Sequence, residues 1–295
     1  MVFASQGRHV LCHEAMGTVF KVHLMCAEPT YARQAASAMW AELDRLEQQL
    51  SRFVPSSDIN RINRLLPGQS TRVHADTFDC LRTALHVQEL TRGAFDVAYA
   101  SGRATPSQPR FALDAEEKAV RVLAQRVQLD LGGIGKGFAL DRLAAVLADW
   151  EIPAALLGAG ASTWLACGAP ENAAGWTLVL GPEHDLRRVR LKDGSLSGSG
   201  TAVRGEHIID PRTARPPHVR CRAWAAAPTA AEADALSTAF MILSEPEIRA
   251  LCRRWPDLWA WLLTSPCGTL TAIHGESQGR RGPAGAGRFR LVPEP

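Results

Sequence analysis

Four short stretches carry side chains whose types and spacing can do chemistry. The first is Leu129-Asp130-Leu131-Gly132-Gly133-Ile134-Gly135-Lys136-Gly137-Phe138-Ala139-Leu140-Asp141, four glycines and one lysine between a hydrophobic run and a helical pattern. Val127, Leu129 and Leu131 alternate with polar residues, and Phe138, Leu140, Leu143, Val146 and Leu147 fall at helical spacing. The spacing predicts a strand, a glycine turn and a helix. Glycines there permit positive φ and a close approach to main-chain N–H groups. A helix start adds unpaired donors and a positive dipole end, and Lys136 adds a full charge, so an anion is the expected ligand, phosphate first. A Walker loop is excluded, because Gly137 and not Ser or Thr follows Lys136; the GGxGxG spacing also excludes the dinucleotide fingerprint. A plain glycine turn with a solvated lysine is the other reading.

The second stretch places Asp234, Ser237 and Thr238 at i, i+3 and i+4 of a predicted helix, so that one carboxylate and two hydroxyls share a face. Oxygen donors of this kind suit Mg²⁺, although a helix-start Asp with back-bonding hydroxyls gives the same pattern. The third, His207-Ile208-Ile209-Asp210-Pro211-Arg212-Thr213, sets a His, an Asp and an Arg at a proline-terminated turn. It offers either a ligand clamp with a general base or an Asx-type turn. The fourth, Gly93-Ala94-Phe95-Asp96, is a helix C-cap followed by an aromatic and an acid; a core Phe with a turn Asp reads equally well.

The elements that must position these residues follow from periodicity. Residues 8–26 read as a strand pair bent at Met16-Gly17-Thr18, and 30–50 as a helix with Ala35, Met39, Leu43, Leu46 and Leu50 on one face. Ser57 or Ser56 caps a short 59–65 segment, and 76–91 is a helix closed by Gly93. A hairpin is expected over 111–128. Strands are expected at 154–157, 163–166, 176–180, 189–191, 207–211, 222–227, 259–263 and 269–273, and helices at 229–243 and 247–254. Ser195–Gly200 reads as a small-residue turn. Strands and helices do not alternate strictly, so the fold class is α+β.

Bulk composition narrows the function classes. With 46% hydrophobic residues in 295, a substantial core forms. A formal net charge of +3 without a Lys/Arg block argues against nucleic acid as a partner. Seven cysteines without a CxxC pair argue against a zinc ribbon or a disulfide framework. No apolar run reaches the roughly 18 residues of a membrane span, and residues 1–14 lack a secretory apolar region. A cytoplasmic location is expected.

Taken in order, these stretches resemble the ApbE family, the FAD:protein FMN transferases. The matching segments are Met16-Gly17-Thr18, Leu50-Ser51-Arg52-Phe53 through Asn63, Gly93-Ala94-Phe95-Asp96, Asp130 through Asp141, His207 through Thr213, and Ala233 through Ala239. The resemblance implies an ApbE/T-fold-like single large domain over 8–274, with mixed β-sheets and packed helices; the Gly/Pro/Arg-rich composition of 275–295 predicts a flexible tail after it. It implies a Mg²⁺-dependent enzyme that moves the FMN half of its substrate FAD onto a Thr or Ser hydroxyl of an acceptor flavoprotein and releases AMP. A non-transferring FAD-binding paralogue and an FAD pyrophosphatase are the alternatives. By position, Met16, Phe53, Ala94, Phe95, Asp96, Asp130, Lys136 and Ile209 would contact FAD. Asp234, Ser237, Thr238 and the carbonyl of Gly133 would hold the metal. Lys136 and the N–H groups of Gly135–Gly137 would stabilise the pyrophosphate, with His207 or Asp210 taking the acceptor's proton. The chain departs from the family pattern at Gly158-Ala159-Gly160-Ala161-Ser162, at Gly198-Ser199-Gly200-Thr201, at Ala214, and at Ser237, where an Asp often stands.

Overall fold

The computed structural model describes residues 7–101, 109–200, 209–215, 220–274 and, for the backbone, 290–293. In chain order these form strands β1 (Gly7–Ala15) and β2 (Thr18–Cys26), helices α1 (Pro29–Leu50) and α2 (Asp58–Ile62), β3 (Ser70–Arg72) and α3 (Ala75–Leu90). Strands β4 (Phe111–Asp114) and β5 (Ala119–Val122), α4 (Gly135–Ala148), β6 (Ala154–Ala159), β7 (Thr163–Cys167), β8 (Trp176–Leu180), β9 (Arg187–Lys192) and β10 (Gly194–Gly200) follow. The chain continues with β11 (Arg222–Ala227), α5 (Ala230–Phe240), α6 (Glu245–Arg254), β12 (Trp259–Leu263), β13 (Thr271–His274) and β14 (Arg290–Pro293). No described helix is long and apolar enough to cross a membrane.

An eight-stranded sheet, ordered β1-β2-β6-β7-β10-β11-β12-β13, organises the molecule. Both faces of its central strands are buried, by different partners. Ala155, Leu157, Leu165, Ala223, Ala225, Ala260 and Leu262 point into a core shared with the helices. Their neighbours Leu156, Ala166, Trp224, Trp261 and Leu263 point into a second core against the small sheet β14-β9-β8. Because side chains alternate along a strand, a one-residue slip would exchange the two cores. A third sheet, β3-β5-β4, stands apart. Helix α1 begins at Pro29, whose fixed φ suits the first helical position. It buries Ala32, Ala35, Ala36, Met39, Leu43, Leu46 and Leu50, each buried Leu or Met stabilising by about 1.5–3 kcal/mol.

Two strand pairs of the large sheet, β6–β7 and β10–β11, are close-packed by a glycine–tryptophan device. Gly158 lies directly opposite Trp164, and Gly198 opposite Trp224. The indole lies where a side chain would stand: a Cβ at Gly158 would sit 2.6 Å from Trp164 Cε3, and one at Gly198 2.6 Å from Trp224 Cδ1. This explains why Ser195–Gly200, which reads as a turn, is a strand (β10). Its small residues make room for rings from β11 on one face and for helix α5 on the other.

The expected strand at 127–131 does not pair with any described strand. The extended backbone is held by scattered groups instead: Asn63 bonds Leu129 at both N–H and C=O (2.7 and 3.1 Å), Ser101 accepts from Gln128 N, and Val97 O accepts from Asp130 N. Ser57 is the cap of α2, accepting from Asn60 N at 3.0 Å. Within the 275–295 span expected to be flexible, β14 pairs antiparallel with β9. His207 and Ile208 lie outside the described residues.

Candidate active site

Helices α4 and α5 cross at a point with no side chain on one partner. A Cβ on Gly137 would overlap the Ala230 carbonyl oxygen and stand 2.9 Å from Ala231 Cα. Gly132, Gly133, Gly135 and Gly137 are all outside the positive-φ region, so the turn does not use the conformational freedom that its glycines suggest. Here Gly137 serves close approach, which brings the start of α4 against α5. Asp141, one turn further along α4, completes the junction by accepting from Ala230 N (2.7 Å) and Ala231 N (2.9 Å), two of the orphan donors of α5.

This crossing delivers Asp234 to the glycine turn. Asp234 is 3% exposed. Its Oδ2 accepts from Lys136 Nζ (3.3 Å) and Gly137 N (3.2 Å), and its Oδ1 from the hydroxyls of Thr163 and Ser197 (3.3 Å each). Ser237 and Thr238 follow on the same face of α5 and meet Ser199 at 2.8 and 3.3 Å. Gly133 joins them, since a Cβ there would lie 3.3 Å from both Thr238 Oγ1 and the Phe95 ring. The structure therefore gathers Gly133, Lys136, Asp234, Ser237, Thr238 and Phe95. It adds three hydroxyls that sequence reasoning missed, Thr163, Ser197 and Ser199. They come from β7 and β10, and the signal for the last two was their i, i+2 spacing on one strand face.

The expected amide cradle is partly closed. Gly135 N donates to Leu131 O (2.7 Å) and Gly137 N to Asp234, so these N–H groups are already spent inside the protein. An anion can still meet the Lys136 ammonium, 22% exposed and resting on Gly132 O (3.0 Å) and Asp234.

The remaining predicted residues surround this centre. Asp130 fixes the turn by accepting from Gly132 N (2.9 Å) and faces Arg52 Nε at 3.6 Å. Next to Arg52, Phe53 is 79% exposed, under the guanidinium. Met16 sits in a tight turn at φ 50°, its N–H on Glu47; the following Thr18 touches Gly160. Ala94 and Asp96 are buried, and Ile209 is half-buried. Asp96 accepts from Ala98 N at 2.8 Å through Oδ1. Its buried Oδ2 has no hydrogen-bond partner among the described residues, and burial pushes its carboxyl above the usual range. Asp210 is committed elsewhere: it closes an Asx turn to Arg212 N (2.9 Å) and pairs with the Arg212 guanidinium. That turn is packed near Gly93.

Two groups implied by the resemblance can be tested against this geometry. A hard cation fits the donor set, which is all oxygen, and an ammonium already lies between a carboxylate and a carbonyl there. No cluster of three His, Cys, Asp or Glu is found among the described residues, so a metal would depend on one carboxylate, hydroxyls, carbonyl and ligand phosphate. A flavin nucleotide fits the unpartnered Asp96 Oδ2, which needs a donor.

Burial pushes the Asp141 carboxyl up to about 7, against the two N–H groups that favour its charge. Because this folded value exceeds the unfolded one of about 4, the stability that Asp141 contributes is fully present below about pH 4. It is lost as pH rises through about 7. Asp141→Asn should flatten the fall in Tm between those limits and cost about 1 kcal/mol, because the amide nitrogen cannot accept the second of the two N–H bonds. Calorimetry at several pH values reads both effects, and an unchanged slope in the variant would remove Asp141 as its source.

The model of the ApbE family matches residues 16–262. A curated FAD:protein FMN transferase of Treponema pallidum is 26% identical over 82% of this chain and 81% of its own length. One from Klebsiella pneumoniae is 23% identical over 83% and 81%. In solved structures, the flavinyl transferase ApbE of Pseudomonas stutzeri superposes with a TM-score of 0.80 at 20% identity, covering 92% of this chain and 96% of that one. The flavin transferase ApbE of Vibrio cholerae gives 0.80 at 19%, over 92% and 98%. The α+β architecture is thus shared across nearly the whole length, and the chain belongs to the ApbE family.

Proposed function

We propose that this chain is an FAD:protein FMN transferase. The observation that carries the reading is the convergence of Lys136, Asp234, Thr238, Gly133 and Phe95 at the α4–α5 crossing. The names of its relatives supply the reaction. In that reaction an acceptor Ser or Thr oxygen bonds to the phosphorus of the FMN half, the pyrophosphate P–O bond breaks, AMP leaves, and the hydroxyl proton passes to a base. Lys136 neutralises charge on the pyrophosphate where it develops, in a site largely removed from water. Phe95 packs beneath the glycine turn, and Asp96 Oδ2 accepts a hydrogen bond from FAD. The proton of the acceptor hydroxyl passes to His207 or to Asp210, the latter paired with Arg212. Mg²⁺ held by Asp234, Ser237, Thr238 and the Gly133 carbonyl would supply Lewis-acid chemistry to the phosphates.

The test is purified protein with FAD and Mg²⁺, with and without an acceptor flavoprotein domain. AMP together with a covalently flavinylated acceptor is the expected result. AMP with free FMN would reassign the chain as a pyrophosphatase, and bound FAD without AMP would make it a flavin-binding paralogue.

A further inference from the structure

The large sheet leaves one long edge unpaired. β1 runs nine residues in unbroken register with β2, from Gly7↔Cys26 to Ala15↔Thr18. Among the described residues no strand lies on its outer side. The opposite edge, β13, is only four residues long. Sheet edges are commonly protected by shortness, Pro, charged side chains or bulges; β1 is long, has no Pro and no bulge, and carries only Arg8 and Glu14 as charges. The two-residue turn Met16-Gly17, with φ 50° and 68°, makes Ala15↔Thr18 a hydrogen-bonded closing pair. Bonding alternates along an antiparallel ladder, so the N–H and C=O groups of Arg8, Val10, Cys12 and Glu14 point away from β2. These residues share one face and are exposed. Val10 is 51% exposed, and Val19, opposite Glu14, is 43%.

The edge is complementary to itself. With a two-fold axis at Leu11, Arg8 stands opposite Glu14 of a second antiparallel copy and Val10 opposite Cys12, each contact occurring twice. Every outward N–H and C=O between 8 and 14 then finds a partner. Moving the axis to Cys12 sets Glu14 against Val10; moving it to Val10 sets Arg8 against Cys12. Only the axis at Leu11 pairs the charges. Arg8 uses Nε and one terminal nitrogen on His23 Nδ1 (3.2 and 2.7 Å), leaving the other terminal nitrogen available. Glu14 has no partner among the described residues. We propose that the chain forms a homodimer through β1, joining two eight-stranded sheets into one continuous sheet.

Light scattering coupled to size exclusion should give the dimer mass at micromolar concentration. Arg8→Glu and Glu14→Arg each place like charges opposite one another and should weaken dimerisation by at least about tenfold. The double reversal R8E/E14R should restore it, with unchanged Tm as the control on folding. As a separate readout, Val10→Cys treated with oxidised glutathione should form a disulfide-linked dimer through Cys12 of the second copy, and V10C/C12S should not. A monomeric wild type, a dimer that survives both single reversals, or equal cross-linking without Cys12 would each overturn the proposal.

Discussion

Asp234→Asn protein folds, binds FAD and releases AMP at a rate lower by about 100-fold or more. The substitution keeps the shape of the side chain and an oxygen for Thr163 and Ser197, which hold Oδ1 at 3.3 Å. It removes the one carboxylate charge that Lys136 Nζ approaches from α4. With the charge gone, the site loses its anionic oxygen donor and the group that fixes Lys136. Alanine is the poorer choice, because it also removes the oxygen that accepts from Thr163 and Ser197, leaving buried hydroxyls unpaired and confusing misfolding with lost chemistry. The measurement is AMP by chromatography under saturating FAD and Mg²⁺, alongside near-ultraviolet dichroism. Wild-type release by a folded D234N protein would sink the assignment of Asp234.

Gly137→Ala is the substitution with the largest expected effect on stability. The added carbon would overlap the Ala230 carbonyl oxygen, which is backbone and cannot swing aside. Helix α5 must shift, and its shift breaks the Asp141 bonds to Ala230 and Ala231 and the Gly137 bond to Asp234. A loss of about 3 kcal/mol is expected, read as a lower midpoint in urea. Gly135→Ala is the control. Its added carbon meets Leu131 Cβ at 3.5 Å, an ordinary contact. Equal midpoints for the two variants would refute the crossing argument.

Sequence pattern was most informative where a single element decides its own structure. The apolar face of α1 and the alternation of β8 could be read directly, as could the Met16-Gly17 bend. It was least informative where one element is completed by another far along the chain. Residues 127–131 have a strand's alternation but bond Asn63, Val97 and Ser101 rather than a strand. β10 has no apolar alternation, because the large groups that fill its surroundings belong to β11 and α5. In the site, Asp234 with Ser237 and Thr238 was legible from helical spacing. The hydroxyls of Thr163, Ser197 and Ser199 were not, since separate strands bring them to Asp234. The glycine turn does not need the freedom its glycines suggested: none adopts positive φ, and the amides of Gly132, Gly135 and Gly137 are bonded within the protein.

The two indoles laid over Gly158 and Gly198 make each ring and its glycine a single unit of change. A methyl at Gly158 cannot coexist with Trp164, nor one at Gly198 with Trp224, whereas a smaller residue in place of the ring would free the space. Costs at such facing positions do not add. Drift at either pair must therefore proceed through a costly single step or by simultaneous exchange. Because the same strands carry Thr163, Ser197 and Ser199 on their other face, that barrier also restrains the register on which the site depends.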